Sequence, residues 1–163
     1  MLNYNGSLIV VEDEKISRKF YEELLDQKLK FDFGACQQFE SGLTLQRKSS
    51  MPEIYKIAQE SIQTKSNSSV LYFETEQFEE FAERLSKYEV EFLHEILEFE
   101  WGQHSVVFYD LDGHVIDVSE TMVSVFRRFQ SQGMDMEEIA EKTEHPLEYV
   151  KISLSVDSGK KIQ

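Results

Sequence analysis

Short runs of strand-forming residues and longer stretches of helically spaced apolar residues follow one another in the same order twice along this chain. Ser7 to Asp13 is an apolar strand running into Asp13, which can cap a helix. Ile16, Phe20 and Leu24 then recur at helical spacing, with Tyr21 and Leu25 widening the stripe. Three short β-rich segments follow, around Phe31-Asp32-Phe33, Gln38-Phe39-Glu40 and Leu43 to Gln46. The second pass starts with the strand Ser69 to Thr75, a capping Thr75 and a helix carrying Phe78, Phe81 and Leu85. Its β-rich segments are Glu91-Phe92-Leu93, Ser105 to Tyr109 and His114 to Val118. The last two are joined by Asp110-Leu111-Asp112-Gly113, a turn whose glycine can take positive φ, so they read as a tight hairpin.

The chain therefore reads twice as strand, helix, then three strands, in modules of about 7–47 and 68–120. Gln46 and Asp117 lie at matching distances after Gly42 and Gly113, so the repeat supplies its own registration. Between the modules, Arg47 to Ser69 has flexible ends and a helical pattern from Pro52 through Ile54, Ile57, Ala58 and Ile62. It reads as a connector, with folding over an opening as the alternative. After Glu120 the pattern becomes helical: Met122, Val125, Phe126 and Phe129 form one apolar face ending near Gly133. Asp135 with Glu138 starts a short second helix as a capping box, and Pro146 a third holding Val150 and Leu154. Residues 1–120 form the repeated domain and 121–163 a helical extension.

Two local signatures resemble the vicinal oxygen chelate superfamily, which includes glyoxalases, bleomycin-resistance proteins and extradiol dioxygenases. The first is Val11-Glu12-Asp13 with Phe20-Tyr21 and Leu24-Leu25. The more specific is Trp101-Gly102-Gln103 followed by Tyr109-Asp110-Leu111-Asp112-Gly113-His114, where Leu111 stands in place of the family's proline. The resemblance implies an α+β fold: two βαβββ modules forming a curved mixed sheet around a cleft, here with a C-terminal helical tail. It also implies four inward-facing ligand positions in metal enzymes of the family, which fall on Gly6, Gln46, Ser68 and Asp117. Only Asp117 is a good ligand, and a catalytic divalent site needs about three imidazole or carboxylate ligands. No metal or other cofactor is expected.

Composition narrows the surroundings. The 163 residues are 40% hydrophobic and include twelve phenylalanines, enough to fill one core. The single cysteine, Cys36, excludes an intrachain disulfide. Met1 to Gly6 is short and polar, unlike a signal peptide, and no apolar run is long enough to cross a bilayer, so a cytoplasmic location is expected. The net charge of −14, with acids crowding Glu74 to Glu100, discourages polyanions. The extension has a helix-turn-helix pattern, but its last helix offers only Lys151 near Glu148 and Tyr149, which argues for packing or dimerisation over DNA binding.

Strand alternation proposes a small-molecule site at Gln46, Ser68, Tyr72, Trp101, His104 and Asp117. Each has a plainer reading: His104 as a strand-end histidine, Asp117 as a buried carboxylate held by a donor, Tyr72 and Trp101 as core or hairpin-closing aromatics. Gln46 and Ser68 rest on the registration alone. Three function classes follow: a metal-free binding protein of the bleomycin-resistance type; a lyase or related enzyme with Asp117 and His104 as acid and base; and an interaction protein. A homodimer is expected, because the apolar face of Met122 to Phe129 requires cover.

Overall fold

A computed structural model of the chain describes residues 1–155. The first module is β1 (Leu8–Val11), α1 (Glu14–Leu24), β2 (Leu29–Asp32), β3 (Cys36–Phe39) and β4 (Thr44–Arg47). After the connector and its one-turn α2 (Met51–Ile54) come β5 (Val70–Thr75), α3 (Phe78–Leu85), β6 (Phe92–Glu98), β7 (His104–Tyr109) and β8 (Val115–Glu120). Each module forms a four-stranded sheet, in the orders β1-β4-β3-β2 and β5-β8-β7-β6. The two orders are the same arrangement, so the repeat is structural. In the first sheet β1 pairs parallel to β4, and β3 runs antiparallel to both β4 and β2.

The repeat extends to its turns. Phe39 N–H donates to Leu43 O and Gly42 N–H to Phe39 O, while Asp110 N–H donates to His114 O and Gly113 N–H to Asp110 O. Gly113 has φ +84°, the conformation expected of the turn glycine. Leu111, in the position of the family's proline, is exposed, so the turn loses nothing by the replacement.

Contacts divide the chain into two compact units that do not follow the modules. The first unit is Met1–Val70 with Arg84–Glu91 and Tyr109–Val115, so the second module's hairpin tip belongs with the first module. The second unit is Leu71–Glu83 with Phe92–Phe108 and everything described from Ile116 onward.

In the first unit, Asp13 caps α1 as expected, its carboxylate accepting from the N–H groups of Lys15 and Ile16. Phe20, Tyr21 and Leu24 are buried, but Ile16 is exposed. Its place in the stripe is corrected: at the first turn, Glu14 and Ser17 face inward instead. Glu14 is held by Arg47, whose Nε donates to Oε2 at 2.6 Å and whose Nη2 donates to Oε1. That hydrogen bond holds the Glu14 carboxyl below its ordinary value of 4.5 despite burial. A depressed folded-state value adds stability that is present above pH 4.5 and lost as pH falls through the folded-state pKa. Below pH 4.5 the midpoint of thermal unfolding should therefore fall less steeply in Glu14→Gln than in the wild type; parallel curves would contradict the pairing.

The hairpin tip is bound to α1 by its aspartates. Asp110, buried, accepts from the Tyr21 hydroxyl (2.7 Å) through Oδ2 and from the N–H groups of Asp112 (2.9 Å) and His114 (2.8 Å) through Oδ1. Asp112 accepts from Glu12 N–H and Ser17 Oγ, both at 2.7 Å, and His114 Nε2 lies 2.8 Å from Val10 O. The connector is not the continuous helix its pattern predicts. It breaks into α2 and two single 3₁₀ turns, with Ile54 and Ile57 exposed, because four residues and a proline at the start make too short a helix to propagate.

In the second unit, Thr75 Oγ1 accepts from Gln77 N–H in the turn just before α3, a bond outside the helix in place of the cap expected of Thr75. The extension folds as α4 (Met122–Ser131), α5 (Met136–Thr143) and α6 (Leu147–Ser155). Val125, Phe126, Phe129, Ile139 and Val150 form its buried core, with Leu154 packed at the edge. The capping box of Asp135 and Glu138 is present in both directions. The remainder of the predicted tail, 156–163, lies outside the described residues.

Candidate functional site

The six residues proposed from sequence fall in different units. Gln46 and Ser68 belong to the first; Tyr72, Trp101, His104 and Asp117 to the second. Gln46 is buried and its amide donates to Ala35 O (3.2 Å) and to Ser50 Oγ. Those bonds tie β4 to the neighbouring loops. Ser68 is exposed, hydrogen-bonded to Ser66.

The second unit brings three of its four residues into one polar network. Asp117 Oδ1 accepts from Ser105 Oγ and Ser119 Oγ, both at 2.9 Å and both from buried serines. Its Oδ2 has no hydrogen-bond partner among the described residues. Tyr72, exposed, also contacts Ser119, and its hydroxyl donates to Glu74 Oε1 at 2.9 Å. Burial, then the Glu74 carboxylate, push the Tyr72 phenol above its ordinary range, so it keeps its proton at neutral pH.

Gln103 joins Tyr72 to Trp101. Its Oε1 accepts from Trp101 Nε1 (3.0 Å), while Nε2 donates to Glu120 O (2.7 Å) and reaches the Tyr72 hydroxyl at 3.5 Å. Indole can only donate and a carbonyl can only accept, so these neighbours fix which end of the amide is which. Trp101 stacks on Phe99 with centroids 4.5 Å apart and stays 37% exposed. Gln103 was visible as the third residue of Trp-Gly-Gln. Ser105, Ser119 and Glu74 carried no signal of their own.

His104 does not join this network. It stacks on Phe78 of α3 at 5.7 Å, while its neighbour Ser105 bonds Asp117. Successive residues of a strand point to opposite faces, so the expected pairing of His104 with Asp117 is corrected. The His104 ring faces Glu120 instead, with Nδ1 3.1 Å from Oε2, near in distance but poorly directed for a hydrogen bond.

The four positions that would hold a metal offer few ligands in this geometry. A Cβ on Gly6 would lie 1.9 Å from Gly42 O, so the backbones meet where a ligand side chain would start. The Gln46 amide is engaged, Ser68 is exposed, and only Asp117 offers a charged oxygen. These residues do not fit a divalent cation. Among the described residues, no other group of three His, Cys, Asp or Glu side chains is disposed to hold one.

A cavity of about 440 Å³ lies in the first unit, and none of the six proposed residues is among its lining. Glu12, Lys65, Glu91, Tyr109 and Asp112 are among its walls. Lys65 Nζ is 2.5 Å from Glu91 and 5.0 Å above the Tyr109 ring, and Asp112 is already bonded to α1, so its best-placed charges are partnered within the protein. No helix of the described residues is long and apolar enough to cross a membrane.

Residues 4–123 match the family model of the Glyoxalase-like domain. No curated protein matches the chain. Among solved structures, a protein of unknown function from Agrobacterium tumefaciens is 28% identical, with a TM-score of 0.65 over 74% of this chain and 95% of that one. A glyoxalase/bleomycin resistance protein/dioxygenase from Nocardioides is 19% identical, with a TM-score of 0.57 over 74% and 83%. A glyoxalase-related enzyme from Fulvimarina pelagi is 18% identical, with a TM-score of 0.62 over 76% and 91%. With a doubled strand-helix-three-strand unit, the Trp-Gly-Gln and Asp-Leu-Asp-Gly turns in place and a family match across both modules, the chain belongs to the Glyoxalase-like domain family.

Proposed function

We propose that the protein binds a small organic molecule without a metal ion, on the face of the second sheet that carries Asp117, Tyr72 and Trp101. The observation that supports this most directly is the Asp117 carboxylate. Two buried serines hold one of its oxygens and leave the other without a partner among the described residues, and two half-open aromatic side chains stand in the same network. Asp117 and Glu74 present carboxylate oxygens, so the ligand group they favour is a cation or a strong donor. The exposed indole favours a planar ring system beside it. Recognition requires no proton transfer, and with Ser105 rather than His104 bonded to Asp117 a binding role is favoured over acid–base work by that pair.

Trp101 is the chain's single tryptophan, which makes binding directly readable. Proflavine, a planar aromatic cation, should quench Trp101 emission saturably, and Tyr72→Ala should weaken it. An unsaturating, nonspecific loss of emission, unchanged in Tyr72→Ala, would remove the reading. Protein dialysed without chelator should hold far less than one equivalent of zinc, nickel, iron or manganese. About one equivalent per chain would remove the metal-free part.

We also propose a homodimer. Leu93 and Ile96 are exposed apolar side chains on β6, an edge strand that a second copy would cover. A monomer in sedimentation at micromolar concentration would end this proposal.

A further inference from the structure

We propose that α4 of the C-terminal extension sets the position of the Trp101 wall, so that the helical extension and the ligand face act as one coupled device. This rests on the reading of Trp101 as part of a binding face. It concerns a segment most of which lies beyond the family match, which stops at residue 123.

Three contacts carry the coupling, and all lie within the second unit. The Phe129 ring fills the space beside Gly102: a Cβ there would lie 2.1 Å from Phe129 Cζ, so the Trp101-Gly102-Gln103 turn rests directly on α4. Arg128, the residue before it, donates from Nη2 both to Gly102 O and to Glu120 Oε2, the latter at 3.0 Å. Glu120 in turn receives the Gln103 amide on its backbone carbonyl, and Gln103 holds the Trp101 indole and reaches Tyr72. The chain of contacts from α4 to the exposed aromatics thus has no gap. The Glu120 side chain is buried and Arg128 largely so, which keeps these bonds from being exchanged for water.

The arrangement has a consequence for regulation. Any event that shifts α4 must move the Gly102 carbonyl or release Glu120, and with them the orientation of Gln103. By linkage, a ligand that fixes Trp101 must equally stabilise the docking of α4. Arg128 and Phe129 are therefore positioning residues. They act on the ligand through the Trp101-Gly102-Gln103 turn.

The test reads Trp101 without a ligand, using acrylamide as a neutral quencher on the full chain. Arg128→Gln should raise the quenching constant by about twofold and shift the emission to longer wavelength, with helix content retained. The control is Arg127→Gln on the same helix: Arg127 lies 3.5 Å from Glu76 and takes no part in the turn, so Trp101 should respond as in the wild type. Arg128→Lys, which keeps the charge and one donor direction, should fall between. Should Arg128→Gln fail to fold, Phe129→Leu supplies the same readout by opening the space beside Gly102. Equal quenching in Arg128→Gln, or in Phe129→Leu where that stands in, and in Arg127→Gln would overturn the proposal. Because acrylamide needs no binding site, failure of proflavine to bind the wild type would count against the binding reading alone.

Discussion

Asp110→Ala should lower the midpoint of thermal unfolding by roughly 10 °C, the largest stability effect expected of a single side chain outside the apolar core. The carboxylate is buried and accepts three hydrogen bonds: from Tyr21, which is itself fully buried, and from the N–H groups of Asp112 and His114. Truncation strands all three donors, one buried and two half-buried, and at about 1 kcal/mol for each the cost is about 3 kcal/mol. Asp110→Asn should cost much less, since its carbonyl can take the two N–H groups while the tyrosine hydroxyl oxygen accepts from its amide. The pH dependence separates the variants further. Burial raises the Asp110 pKa above its ordinary 3.8, an effect that His114 and the bonds from Tyr21 and the backbone only partly oppose. An acid raised in the folded state binds its proton more tightly there than in the unfolded chain. Its contribution to stability is therefore greatest at low pH and declines as pH rises from 3.8 through the folded-state value, opposite in sign to Glu14. Asp110→Asn should lack that decline. Calorimetry across acid pH decides it: an Ala variant within about 2 °C of wild type would show that the hairpin tip is held by something else.

Local signals were the ones that could be read without a structure. The capping residues Asp13 and Asp135 act within three residues of themselves, and the Asp110 turn within four, so their chemistry is complete in the sequence. The doubled order of strands was legible because the same turn recurs at Gly42 and Gly113. What failed depended on neighbours. Ile16 fits the helical period, yet Glu14 takes the inner position because Arg47, more than thirty residues away, neutralises it. Strand alternation places His104 near Asp117 from the adjacent strand, but which of two adjacent residues faces Asp117 is a question of register, and Ser105 occupies that place. Gln103 lies inside the Trp-Gly-Gln motif with no role legible from it, since its importance lies in what its two amide ends touch. The exposed face of the second sheet is therefore more polar and more organised by serines than the pattern of aromatics suggested.

Asp117→Asn should weaken proflavine binding by about tenfold, or about 1.4 kcal/mol, while moving the unfolding midpoint by less than about 2 °C. The two effects separate because the two carboxylate oxygens have different work. Oδ1 accepts from Ser105 and Ser119, and an asparagine carbonyl can accept both bonds at the same place, so the strands lose little. Oδ2 meets no donor among the described residues and is the atom a cationic ligand would use, and an amide there presents donors to a donor. Ser105→Ala should give the converse result. It removes a buried bond that orients the carboxylate, so it should lower stability measurably and affinity only through the carboxylate's looser placement. Ligand affinity unchanged in Asp117→Asn would remove the carboxylate from recognition. A fall in the midpoint comparable to that of Asp110→Ala would instead make Asp117 a structural anchor of the hairpin, with the open Oδ2 as a by-product of how the serines hold it.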